Sequence, residues 1–104
     1  MVGDQIWVAG QIGTDGGETL REQAKRALDK IEELLVQAGS SKSDLVKVTV
    51  LLIDMKDFSD FNEIYGKWLE GTVLPARAAF AVKELPGQAK VEVVAEAVLG
   101  SGGI

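Results

Sequence analysis

Pro75-Ala76-Arg77-Ala78-Ala79-Phe80, followed by Val91-Glu92-Val93, sets one arginine and one glutamate in two successive apolar segments. Both segments alternate as strands do. A charge among Val, Ala and Phe needs a reason, because burying it unpaired is costly. An arginine fork that grips a carboxylate, with a protein carboxylate nearby, is one such reason.

Outward from these segments the chain reads as β-α-β-α-β-β. Residues 5–11 form a first strand, with Ile6 and Val8 on one side and Trp7 and Ala9 on the other. Residues 13–17 are a glycine-rich turn. Thr19-x-x-Glu22 fits a capping box and opens a helix whose stripe runs from Leu20 through Ala24, Leu28, Ile31 and Leu35. Gly39 is a natural stop. Residues 45–53 are a β-branched strand with Val46, Val48, Val50 and Leu52 on one face. Asp54 or Asp57 can cap a second helix running to about Glu70, with an aromatic stripe of Phe58, Phe61, Tyr65 and Trp68. Two strands follow, over 77–82 and 89–99, joined through the turn dipeptide Pro86-Gly87.

Two amphipathic helices suffice to cover one face of this sheet. Alternation groups Arg77, Ala79 and Ala81 on one side of the third strand. In the fourth it groups Glu92, Val94, Glu96 and Val98. The face left open is expected to carry Leu51, Ala79, Ala81, Val94 and Val98, together with Arg77 and Glu92. Such a surface wants a partner, so a homo-oligomer that buries it is expected. The residues alone also allow a bland alternative. If the last two strands form a hairpin about Pro86-Gly87, Arg77 stands roughly opposite Glu96 as a structural pair.

The totals narrow the chemistry. A chain of 104 residues makes one modest domain, read here as 1–99, with a flexible Gly-rich tail over 100–104. Apolar residues at 46% argue against general disorder. Eleven Lys and Arg against 16 Asp and Glu give a net charge of −5, which argues against nucleic-acid binding. The absence of Cys and His excludes disulfides, thiol chemistry, ordinary zinc sites and His-based triads. No apolar run reaches the roughly 20 residues of a membrane span, and Met1-Val2-Gly3-Asp4 opens no signal peptide, so a cytoplasmic protein is expected. Asp54, Asp57 and Asp60 lack the ligand spacing and central glycine of a calcium loop, and capping explains them.

Several elements occur in one order along nearly the whole chain. They are Val8-Ala9-Gly10-Gln11-Ile12, Gln23-Ala24 with Leu28, Asp44 to Val50, Asp57-Phe58, Asn62 with Tyr65, Pro75-Ala76-Arg77, Leu85-Pro86 and Val91-Glu92-Val93. In this the chain resembles the RidA/YjgF family of reactive-intermediate (enamine/imine) deaminases, the Pro-x-Arg and Val-Glu-Val elements being the specific ones. The resemblance implies a chorismate-mutase-like α+β fold. It also implies a homotrimer whose sheets line a central barrel, with helices outside and a cleft at each subunit interface. It makes Arg77 the group that binds the substrate carboxylate and Glu92 the one that positions or activates water. Gly10 would line the cleft, Asn62 would lie at its edge, and Ala79 would be the small residue two past the arginine, often Cys in the family. No metal or cofactor is implied.

Family members usually begin with an extra strand whose tyrosine, in a Gly-Pro-Tyr-Ser-like element, reaches the cleft. This chain starts after that strand. The expected function is hydrolytic deamination of 2-imino and enamine acids to 2-keto acids and ammonia. The alternatives are a non-catalytic trimeric scaffold or small-carboxylate-binding protein, and an RNA-acting role that the acidic balance and missing histidine weigh against.

Overall fold

The last strand of the chain is the middle of the sheet. The protein's structure, a computed structural model, describes residues 1–103. In it β4 (Val91–Val98) lies between β1 (Gln5–Ile12) and β2 (Leu45–Leu52), antiparallel to both. β3 (Ala76–Ala81) is added parallel to β2 at the edge, giving the order β1-β4-β2-β3. α1 (Leu20–Gln37) connects β1 to β2, and α2 (Phe58–Trp68) connects β2 to β3. A parallel pair needs a long crossover, and α2 supplies it. The expected α+β order therefore forms, while the hairpin of the last two strands does not, because β2 separates them. Pro86-Gly87 still turns the chain, with Gly87 in the left-handed region at φ 63°.

Local chemistry explains both helices. The Thr19 hydroxyl accepts from the Glu22 N–H at 3.1 Å, and the Glu22 carboxylate accepts from the Thr19 N–H at 3.2 Å. Leu28, Ile31 and Leu35 are fully buried, each such side chain contributing about 1.5–3 kcal/mol. α2 begins differently from either expected cap. Asp54 accepts from the Lys56 N–H and caps a single 3-10 turn, Met55–Asp57, after which Asp57 starts α2 without a side-chain cap. The helices meet β4 through Val91, Val93, Ala95 and Ala97, and β2 through Val48, Val50 and Leu52, all essentially inaccessible. No helix among the described residues is long and apolar enough to cross a membrane.

One sequence expectation fails here for a physical reason. β2 changes register against β4 between Leu45 and Lys47. This irregularity reverses the phase of the strand, so Leu45 is buried and Val46 is exposed, not aligned with Val48. After β4 the chain meets Asp44 through Gly100 and Gly102. Asp44 is 7% exposed, and its carboxylate accepts from the Ser40 hydroxyl at 2.6 Å, the Gly100 N–H at 3.1 Å and the Gly102 N–H at 2.9 Å. The Ser40 bond, opposed by burial and helped by the two glycine N–H groups, holds the Asp44 carboxyl below its ordinary range.

Candidate active site

Arg77 reaches its position through the register of β3. It stands opposite Val48, and Ala79 opposite Val50. Both valines are fully buried beneath the helices. In-register neighbours point to the same side of a sheet. Arg77, Ala79 and Ala81 thus lie on the helix-covered side, and Ala78 and Phe80 on the open one, the reverse of the sequence expectation. Alternation sorts a strand into two faces and does not say which face is covered. Only the parallel pairing with β2 decides that.

The arginine escapes burial at the sheet edge and lies along α2. Nη1 donates to Asn62 Oδ1. Its Cζ is 5.2 Å from the centre of the Phe58 ring and 5.3 Å from that of Tyr65. Phe58, Asn62 and Tyr65 follow at i, i+4 and i+7, one stripe of the helix. Among the described residues no carboxylate forms an ion pair with Arg77. The groups around the guanidinium, Asn62 and the two rings, are neutral. The Tyr65 hydroxyl is buried without a partner, and desolvation raises its pKa against the opposing charge of Arg77.

Glu92 occupies the other face. It stands opposite Ile12 on β1 and Leu51 on β2, and Leu51 in turn stands opposite Phe80. Beside it β1 loses register between Val8 and Gln11, so Ala9 and Gly10 form a bulge. A Cβ on Gly10 would lie 2.3 Å from Glu92 Oε2. Only a glycine lets the carboxylate rest there. Gly10 thus lies in the bulge with the Glu92 side chain against it. Glu96 is occupied elsewhere: it accepts from the Trp7 indole N–H at 3.1 Å and stands opposite Lys47.

The expected site residues therefore fall into two groups. Arg77, Asn62 and Ala79 gather at the α2–β3 edge, and Glu92 and Gly10 at the β1–β4 bulge. β2 and the sheet itself separate them within one chain. Phe58 and Tyr65 belong to the core stripe expected from sequence, and they are also the bed of Arg77. The signal for that was their spacing about Asn62. A groove of about 510 Å³ between the helices, lined by Leu28, Ile64 and Trp68, includes neither group.

Residues 1–99 match the family described as endoribonuclease L-PSP. The 2-iminobutanoate/2-iminopropanoate deaminase of Mus musculus is 45% identical over 103 residues, covering 91% of this chain and 74% of that protein. The Homo sapiens protein of the same name is 40% identical over 108 residues, covering 96% and 77%. E. coli TdcF, solved with bound serine, matches with a TM-score of 0.88 at 31% identity, over 94% of this chain and 83% of that one. With its fold, its motif order and these relatives, the chain belongs to the endoribonuclease L-PSP family, the YjgF/RidA family.

Proposed function

We propose that this protein hydrolyses 2-imino and enamine acids to 2-keto acids and ammonia, at sites built between the subunits of a homotrimer. The observation that carries the reading is Arg77: a guanidinium held in place by Asn62 and two rings, with no acid paired to it among the described residues. Such a fork is a receptor for a carboxylate. Deaminase relatives carry the activity in their names, and TdcF was solved with serine, which has the α-carboxylate such a receptor would grip. The family description names an endoribonuclease, but a net charge of −5 favours a small substrate over a phosphate backbone.

The chemistry assigned to each group is modest. Arg77 holds the substrate carboxylate in two parallel hydrogen bonds, and Ala79 leaves room beside it. Glu92 orients a water and accepts a proton as the water oxygen bonds to the imine carbon. That proton passes to the nitrogen to give the carbinolamine; its hydroxyl proton then moves to the nitrogen as the C=O bond forms, the C–N bond breaks, and ammonia leaves the keto acid. Imines hydrolyse readily, so holding substrate and water in register is the main contribution. Gly10 keeps the Glu92 carboxylate close to the bulge.

Arg77 and Glu92 of one chain lie on opposite faces of its sheet, so one substrate reaches both only if the arginine half-site of one subunit meets the glutamate half-site of another. The open face has the apolar character such packing needs, with Trp7 53% and Phe80 50% exposed. The test is to generate 2-iminopropanoate in situ with an amino-acid oxidase and follow pyruvate release. The protein should accelerate release, and Arg77→Ala should abolish the acceleration. A folded trimer that leaves the spontaneous rate unchanged returns the reading to a scaffold.

A further inference from the structure

The Arg77 half-site holds more than the residues assigned to it. We propose that Phe58 and Tyr65 are positioning residues for carboxylate recognition, their rings holding the guanidinium while Asn62 accepts one N–H from Nη1. This deepens the deaminase reading and rests on it. An exposed arginine on an edge strand ordinarily samples many rotamers, and an unordered fork loses the geometry that makes it selective for a carboxylate. Here Cζ sits 5.2 Å from one ring centre and 5.3 Å from the other, distances at which an aromatic ring attracts a cation. Asn62 lies between the two rings along the helix, at i+4 from Phe58 and i−3 from Tyr65, and accepts from Nη1. With one N–H so occupied, the remaining donors are available to a ligand.

The Tyr65 hydroxyl is not the working part. It is inaccessible and has no partner among the described residues, so it touches neither Arg77 nor a ligand by hydrogen bond. What Tyr65 offers is its ring, locked against Phe61 at 5.6 Å between centres. Phe58 is half-buried at the start of the same helix and packs against the core.

The experiment measures pyruvate binding to the full chain by calorimetry, alongside KM and kcat for 2-iminopropanoate. Phe58→Leu and Tyr65→Leu should each weaken pyruvate about tenfold, with the kinetic change falling on KM more than on kcat. Tyr65→Phe keeps the ring and should recover the affinity lost in Tyr65→Leu. In an Arg77→Lys background, where no planar fork remains to be held, the ring substitutions should add little. If Tyr65→Leu does not fold, Phe58→Leu decides. Normal pyruvate affinity in folded Phe58→Leu, or an equal loss in the Arg77→Lys background, overturns the inference while leaving the deaminase reading intact. Normal pyruvate affinity in Arg77→Ala instead overturns the carboxylate-receptor role on which both rest.

Discussion

At the scale of single residues, the contact between Gly10 and Glu92 bears on the proposed chemistry. The Cβ that any other residue brings would sit 2.3 Å from Oε2, and 2.8 Å from the carboxyl carbon. Something must move, and the glutamate side chain moves more cheaply than the paired β1–β4 backbone. Gly10→Ala is therefore expected to fold and assemble with nearly normal thermal stability and to lose about 100-fold in kcat/KM, the typical effect of displacing a positioned group by about 1 Å. Measured kinetics close to those of the parent would show that Glu92 has no fixed role. Glu92→Gln keeps shape and hydrogen bonding but cannot accept the proton. Its expected loss of about 10²–10⁴ should appear in kcat at saturating substrate.

At the scale of elements, two carboxylates tie segments together by different means. Asp44 joins the start of β2 to the segment that follows β4, through the N–H groups of Gly100 and Gly102. Asp44→Ala leaves buried donors unsatisfied and should cost about 1–3 kcal/mol in chemical denaturation. Asp15, in the loop after β1, pairs with Lys30 at 2.7 Å and Arg26 at 3.0 Å on α1. The Lys30 and Arg26 hydrogen bonds lower its pKa from 3.8 to about 2. A carboxyl depressed on folding stabilises above its unfolded pKa, and the contribution is lost as pH falls through the folded value. The stability difference between parent and Asp15→Asn should hold at neutral pH and vanish between about pH 4 and about pH 2. A difference constant over that window contradicts the ion-pair origin.

At the scale of the whole molecule, the proposed sharing of one substrate by Arg77 and Glu92, which lie on opposite sheet faces, can be tested by complementation. Arg77→Ala and Glu92→Gln should each be inactive alone. Unfolded together and refolded as mixed trimers, they should regain activity, because about a quarter of the interfaces then unite an intact arginine with an intact glutamate from different chains. Mixing without any recovery would place both residues of one chain in one site, which the sheet topology does not allow, or deny the trimer. Sedimentation of the same samples reads the assembly directly.

The element order, the Thr19 capping box and the helix stripes were all legible, because each rests on contacts within a few residues: a side chain to a nearby N–H, a period of 3.6, a glycine past a helix end. Arg77, Asn62, Ala79, Gly10 and Glu92 were also legible as candidates from their type and order. Three things were not. The phase of β2 turned on an irregularity opposite β4. The side of the sheet taken by Arg77 turned on β3 pairing with β2, not β4. The adjacency of Gly10 and Glu92 turned on a second bulge. Alternation along a strand has no sign until a neighbouring strand supplies one. The sequence alone thus nominated the side chains proposed to bind and transform a carboxylate-bearing substrate. The tertiary structure decided that they fall into two groups on opposite sheet faces, because strand pairing is a contact between segments far apart in the chain and sets the face on which every side chain emerges.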